Sequence, residues 1–398
     1  MSKDESLTVP GFRAAGIAAG IKENGRKDLA LIVSDEPAAA AGLFTTNTFK
    51  AAPVILDMER IRSGRAQAIL TNSGNANAAN GPEGVEDARA SSRAVSEALG
   101  IPDDLILVAS TGVIGRRLPV GKILAGIRPL AGSLRPDGME DAQEAILTTD
   151  RFPKMAVRVE NIDGRPVTVL GMAKGAGMIQ PNMATLLSYV LTDAAVDAPL
   201  LEDLLREGVS RSFNAITVDG CMSTNDTVLI LANGRAGNRP FRKGGRDGRM
   251  FRSMLSAVLE EMALAMVRDG EGATKIVTVE VLGGRTKAEA RRVAYAVGNS
   301  NLFKTACFGG DPNWGRVIQA VGASGVSVDP DAVDVSFGGV TVFSGGRGIP
   351  AAVPELAGIM AADRIHVRIN LSVGRGTFSL HASDLTFDYV KINAHYTT

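Results

Sequence analysis

The apolar positions of the first half alternate between short continuous runs and helical spacing. "DLALIVSD" (28–35), "AQAILTNSG" (66–74) and "LILVAST" (105–111) are compact apolar runs that predict buried strands. "EGVEDARASSRAVSEALG" (83–100) has the spacing of an amphipathic helix, and helical patterns recur near 119–134 and 139–148. "AVRVENIDGRPVTVLGM" (156–172) alternates on both sides of Asp163-Gly164, which predicts a hairpin with a tight turn. The second half opens with a strand at about 185–192 and a helix at about 198–212. The clearest helix is about 249–268, where Met250, Met254, Val258, Met262 and Met266 recur every fourth residue beside Leu255 and Leu259, with Gly270 as a stop. This stripe reads as core packing. The last third reads as β-rich, for instance "HVRINLSVG" and "LTFDYVKIN". No repeat of 20–50 residues is present. The whole predicts an α/β (α+β) fold of sheets covered by helices.

Between the strand "DTVLILAN" and the methionine helix lies "GRAGNRPFRKGGRDGR" (234–249), with six basic residues and one acid. No strand-to-helix glycine fingerprint accompanies it, so it predicts a solvated connection rather than a phosphate loop.

Lys+Arg and Asp+Glu both count 43 in 398 residues, so the formal charge is zero. A general nucleic-acid or anionic-membrane binder needs excess positive charge, and this balance argues against both. No apolar run approaches the ~20 residues that span a bilayer, and "MSKDESLTVPGF" lacks the pattern of a secretory signal. Cys221 and Cys307 are the two cysteines, with no metal-ligand spacing and no disulfide framework, which fits a reducing, cytoplasmic compartment.

Common catalytic signatures are missing. The three histidines, His366, His381 and His395, belong to no H-E-x-x-H motif, and neither G-x-S-x-G nor a P-loop occurs. A Cys or Ser paired with a distant His stays open. Otherwise the base of an enzyme here is not an imidazole, and no metal or cofactor site is expected.

"KGAGMIQPNMATLLSYVLTDA" (174–194) offers another route. A glycine-rich turn runs into Asn182-Met183-Ala184-Thr185, followed at once by an apolar run. An N-terminal threonine needs no histidine, because its own α-amine can take the hydroxyl proton. That amine titrates near ~7.7–8.0, against ~10.4 for lysine, so a useful fraction is neutral at physiological pH. The backbone must first be cut, between Ala184 and Thr185. Taken alone, Thr185 reads first as the start of a strand, where threonine is favoured.

The segment resembles the processing site of the ornithine acetyltransferase family, the bifunctional glutamate N-acetyltransferases of arginine biosynthesis. "GFRAAGIAAGIK", "KDLALIVSD", "AAAAGLFTTN", "TNSGNANAANG", "VASTGVIG", "SFNAITVDG", "STNDTVL", "VRDGEGATK", "DPNWGRV" and "DLTFDYVKINAHYTT" also have counterparts in order. The resemblance implies an N-terminal-nucleophile-like, DmpA/ArgJ-like layered fold. It implies self-cleavage into an α chain, 1–184, and a β chain, 185–398, that begins with the nucleophile Thr185. An acetyl group would pass from N2-acetyl-L-ornithine to L-glutamate through an acetyl-Thr185 ester, with ping-pong kinetics, in the cyclic arginine pathway.

The resemblance further assigns the oxyanion hole to Thr111 and Gly112, and substrate binding to Lys174, Glu271, Asn393 and the terminal Thr398. It implies a heterotetramer or larger assembly of the two fragments. Acetyl-CoA stands open as a co-substrate, since no feature separates one-activity from two-activity members. "NSGNANAANG" (72–81) reads as an ordered loop near the site or as a purely structural turn. Two departures bear on substrate preference. Arg151 follows "TTD", where the family usually has another threonine, and would put a bulky cation near the pocket. Cys221-Met222 stand where Asp-Thr is common, with Cys221 read as a buried inert thiol, or as a reactive one if it lies near the site. Two other readings stand beside the transferase. One is an N-terminal-threonine amidase or aminopeptidase, in which water resolves the ester; the other is an unprocessed, non-catalytic homologue.

Overall fold

The structure is a computed structural model and describes residues 7–180, 186–350 and 353–395. In chain order the strands and helices are β1 (Phe12–Ile17), β2 (Leu29–Phe44), α1 (Ala52–Arg60), β3 (Arg65–Asn75), α2 (Gly81–Leu99), β4 (Ile106–Val113), α3 (Val120–Gly132) and α4 (Met139–Ile146). Then come β5 (Lys154–Ile162), β6 (Arg165–Lys174), β7 (Leu187–Thr192), α5 (Ala198–Arg211), β8 (Ile216–Thr217), β9 (Thr227–Ala232) and α6 (Arg246–Arg268). The remainder is β10 (Ile276–Gly284), α7 (Lys287–Gly298), α8 (Asn301–Gly309), α9 (Trp314–Gly322), β11 (Asp334–Phe337), β12 (Val340–Ser344), β13 (Arg347–Gly348), α10 (Val353–Ala361), β14 (Arg364–Asn370), β15 (Gly376–Ser383) and α11 (Phe387–His395).

Two sheets carry the fold, as the alternating patterns predict. One runs β4-β3-β2-β9-β7-β6-β5, with β1 also pairing β2; the other runs β13-β12-β11-β14-β10-β15-β8. In the first sheet both faces are covered. Ala41, Leu43, Val169, Val190 and Ile230 pack with α5 and the methionine helix α6, whose Met254, Val258, Met262 and Met266 are buried there. Leu31, Val33, Ala68 and Leu70 pack with α1–α3 on the neighbouring part of that face. The opposite face packs Leu170, Met172, Tyr189 and Leu229 with Met139 and Ala142 of α4. This explains the near-continuous apolar runs, since a strand covered on both sides has no solvent position to mark. In the second sheet Val277, Val279, Val281, Ile365, Val367 and Ile369 face α7–α9, while Glu280, His366 and Arg368 form a polar cluster on the other face.

The hairpin is present as expected, with β5 and β6 in register from Lys154↔Ala173 to Ile162↔Arg165. Asp163 and Gly164 both take positive φ, 55° and 74°, the geometry of a two-residue primed turn. The basic connection is a surface loop tied by Arg239 to Asp163 and by Lys243 to Asp203. One expectation is overturned. "LTFDYVKIN" is not a strand: Phe387–His395 form α11. Its apolar residues Phe387 and Val390, 83% and 63% exposed, are three apart, a helical spacing that β-branched and aromatic content masked.

The expected division after residue 184 falls within the first sheet. β7 lies between β6 and β9, and β9 pairs with β2, so strands from both sides of that point are interleaved.

Candidate active site

At the C-terminal end of β4 the chain passes so close to β3 that no side chain fits. A Cβ on Gly112 would lie 2.4 Å from the Gly74 carbonyl carbon and 2.5 Å from the Asn75 nitrogen, and φ is 135°. The β3–β4 ladder loses register there. Asn225, two residues before β9, clamps the same turn by donating to the carbonyls of Ala76 (2.6 Å) and Ser110 (2.8 Å). Ser110 Oγ in turn donates to Asn72 Oδ1 at 2.6 Å. The strand end is therefore held from two sides, and Thr111 and Gly112 line a cleft. Ala76 lines it too; of "NSGNANAANG", residues 72–75 are the end of β3 and only 76–80 form a loop beside the site.

Lys174, the last residue of β6, reaches the same cleft and is 4% exposed. Its Nζ donates to Thr148 Oγ1 at 2.8 Å and to Thr111 Oγ1 at 3.3 Å. The nearest carboxylate among the described residues, Asp150 Oδ2, stands 3.9 Å away. Burial lowers the Lys174 ammonium below its ordinary value, Asp150 opposes that, and Lys154 adds to it. Lys154 holds Asp150 more tightly, at 2.7 Å, and also Asp269 at 2.5 Å, with all three side chains fully buried. For Asp150, burial alone would raise the carboxyl; the charges of Lys174 and Lys154 outweigh it and hold it well below the usual range. Asp269 sits at the C-cap of α6, where a negative charge opposes the helix dipole. Lys154 compensates that charge. The triad thereby joins the Thr148–Asp150 turn, β5 and the end of α6.

Glu271 follows two residues after Asp269. Its N–H donates to the Ala176 carbonyl at 2.9 Å, which docks the loop on "KGAGM". Its carboxylate packs directly over Gly177, where an added Cβ would lie 2.4 Å from Oε2. Asn393 of α11 donates to Glu271 Oε2 at 2.8 Å. Glu271, Asn393 and Tyr389 complete the far wall. The cleft thus carries a fixed cation and a fixed anion from separate elements.

Thr111, Gly112, Lys174, Glu271 and Asn393, five positions singled out in the sequence, therefore meet in one cleft. Ala184, Thr185 and Thr398 lie outside the described residues. The chain on either side of the proposed cut is anchored by carboxylates. Asp219 accepts from the N–H groups of Met178 (2.5 Å) and Ile179 (2.8 Å), and Asp226 Oδ1 accepts from Leu186 N–H at 2.9 Å. Burial raises the Asp226 carboxyl well above the usual range.

Two expectations about the departures are corrected. Arg151 does not enter the cleft. Its Nε donates to Asp269 at 3.1 Å and its Nη2 to the Arg268 carbonyl at 2.7 Å, because the end of α6 offers it two acceptors. The cleft wall here is Thr148 and Thr149 instead. Cys221 is not buried; it is exposed and lines the cleft, whereas Cys307 is the buried thiol. Partial burial and the neighbouring Asp219 push the Cys221 thiol up, away from the reactive thiolate. The residues missed by sequence reasoning, Thr148, Lys154, Asp219, Asn225 and Asp226, sit at strand ends or in turns. A polar residue opening an apolar run, as in "DTVLILAN", is the one signal they leave.

The family description "ArgJ family" matches residues 13–398. This chain belongs to the ArgJ family. "Arginine biosynthesis bifunctional protein ArgJ" of Geobacter sulfurreducens is 49% identical over 397 residues, covering 98% of this chain and 100% of the relative. The protein of the same name from Symbiobacterium thermophilum is 50% identical over 395 residues, covering 98% of each. A solved chain of the arginine biosynthesis bifunctional protein from Bacillus halodurans is 39% identical with a TM-score of 0.51. It covers 52% of this chain and 98% of its own length. ArgJ membership thus spans both sheets and every element that lines the cleft.

Proposed function

We propose that the protein transfers the acetyl group of N2-acetyl-L-ornithine to L-glutamate in arginine biosynthesis, after cutting its own backbone between Ala184 and Thr185. The convergence of Thr111, Gly112, Lys174, Glu271 and Asn393 on one cleft carries this reading. In it, Thr185 Oγ attacks the Ala184 carbonyl, the peptide becomes an ester, and water opens the ester. The α-amine released on Thr185 then serves as the base for the same hydroxyl. Thr111 and Gly112 stabilise the oxyanion in both reactions. Lys174 and Glu271 supply the charges that a carboxylate and a side-chain ammonium require, with Asn393 and Thr398 completing the binding set. The products are an α chain, 1–184, and a β chain, 185–398.

Denaturing intact-mass analysis tests the cut: pieces of 184 and 214 residues are expected out of 398, and Thr185→Ala should stay whole and inactive. A wild-type chain of 398 residues in active material would refute it, and in inactive material would favour the non-catalytic homologue. Incubation with N-acetylornithine should release ornithine continuously only when glutamate is present. Release that ignores glutamate would mean that water resolves the ester, as in the amidase reading. The reading extends to acetyl-CoA as a second acetyl donor, checked by acetylglutamate formation from acetyl-CoA and glutamate. It also places the enzyme in the cytoplasm as a heterotetramer or larger assembly. The two free cysteines and the exposed Phe387 and Val390 of α11 support those two points. Among the described residues no helix is long and apolar enough to cross a membrane.

A further inference from the structure

The Lys174–Thr111 contact has a consequence for the oxyanion hole. An ammonium has three N–H donors and no acceptor. Thr111 Oγ1, 3.3 Å from Lys174 Nζ, must therefore be the acceptor of that bond. Its own O–H proton then points away from the lysine. Among the described residues no group accepts that proton, and Thr111 lines the cleft. Thr148 Oγ1 takes a second Lys174 proton at 2.8 Å. The carboxylate closest to the ammonium among the described residues, Asp150, is engaged at 2.7 Å by Lys154 and stands 3.9 Å from Lys174. The cation is left to act on two hydroxyls in a buried, low-dielectric site, where such polarisation is strongest.

We propose that Lys174 is a positioning residue for the oxyanion hole: it fixes the Thr111 hydroxyl rotor, turns the proton toward the cleft and strengthens it as a donor. This rests on the self-cleaving reading above and adds a role to the lysine separate from holding a substrate carboxylate. The two roles part during self-cleavage, which takes place before any free substrate is needed. The tetrahedral intermediate on Ala184 places a negative charge on its former carbonyl oxygen. Thr111 O–H would meet that charge; no proton is transferred by Lys174 itself.

The experiment is a double-mutant cycle on the cutting rate. Lys174→Met, Thr111→Val and the double variant are synthesised, and loss of the 398-residue chain is followed by denaturing intact mass. Thr111→Val should slow cutting by about 10²–10³-fold, the loss seen for one oxyanion donor. Lys174→Met should slow it at least ~10-fold, and the double variant should be no slower than Thr111→Val. Lys174→Gln, which keeps a donor but no charge, should fall between wild type and Lys174→Met, and it reads the same effect if Met misfolds. Two results would overturn the proposal: Lys174→Met cutting at the wild-type rate while KM for acetylornithine rises, or effects that multiply in the double variant. A wild-type chain that never separates would instead overturn the self-cleaving reading and this proposal with it.

Discussion

Replacing Lys154 by methionine should expose how much of the site rests on one buried ammonium. The side chain is fully buried, as are the carboxylates it holds, Asp150 at 2.7 Å and Asp269 at 2.5 Å. Methionine fills the volume but leaves two carboxylates facing each other. Each retains some help: Asp150 accepts from the N–H groups of Thr148 (3.0 Å) and Gly175 (2.7 Å), and Asp269 accepts from Arg151. Breaking a buried pair by removing one partner costs about 3–5 kcal/mol, whereas exposed pairs contribute about 0–1 kcal/mol. A chain of this size has an unfolding entropy of roughly 0.8 kcal/mol/K, so Lys154→Met should lower Tm by about 4–6 °C in scanning calorimetry. The control is Arg158→Met, whose partner Glu261 and own side chain are both about 40% exposed; it should shift Tm by less than ~1 °C. The sign with pH also follows. Asp150 is held below its unfolded value, so its share of stability is present above roughly pH 4 and is lost as pH falls. The gap between wild type and Lys154→Met should therefore be widest near neutrality and narrow in acid, where the orphaned carboxylates protonate. A variant melting within ~1 °C of wild type at pH 7 would show that the triad is not a structural clamp.

Two further outcomes come from other parts of the molecule. Gly177→Ala places a methyl group where the Glu271 carboxylate now sits, 2.4 Å from Oε2, and should break its bond from Asn393. KM for acetylornithine should rise ~10-fold or more, the worth of a charged hydrogen bond, with self-cleavage and Tm unchanged; an unaltered KM would remove Glu271 from substrate binding. Asp57 is buried, accepts from Val108 N–H at 2.9 Å and has an Oδ2 without a partner among the described residues. Burial raises its carboxyl well above the ordinary value, so its share of stability is complete below roughly pH 4 and declines as pH rises toward the folded value, by about 1.4 kcal/mol per unit. Asp57→Asn should flatten the fall of Tm with rising pH, and parallel melting profiles for the two proteins would refute this.

Much of the architecture was legible because this chain buries whole strands. "DLALIVSD" and "AQAILTNSG" needed no alternation to be read, and the methionine stripe of α6, Met250 to Met266, marks one helix face over more than about four turns. α11 escaped because Phe387 and Val390 face outward and no residue of the helix is fully buried, so periodicity had no buried side to report. At the site, Lys174 and Glu271 were visible only through the resemblance, since a lone lysine or glutamate is ordinarily a solvated group. Their partners are harder still to read. Lys154 and Asp269 are 115 positions apart, and nothing in composition or spacing says that a strand start and a helix cap will share one charge. Arg151 shows the converse: its position in sequence suggested the cleft, but two acceptors at the end of α6 turn it away.

The place proposed for the cut has a physical logic of its own. Breaking a backbone bond ordinarily frees two chain ends and the entropy that goes with them. Here Ile179 and Leu186, on either side, are each pinned by a buried or half-buried carboxylate. Beyond them β6 and β7 are neighbours in one sheet, in register from Val169↔Thr192 to Lys174↔Leu187. β7 continues onto β9, and β9 onto β2, so the fragment that starts at Thr185 is stitched into strands contributed by the other fragment. Cutting therefore removes a covalent link that the sheet already duplicates with hydrogen bonds. The same interleaving keeps the end of β4, the end of β6 and the loop after α6 converged on the cleft, so a newly formed terminus would find its oxyanion donors and charges already in place. Fragments that separate on dilution, without denaturant, would contradict this account.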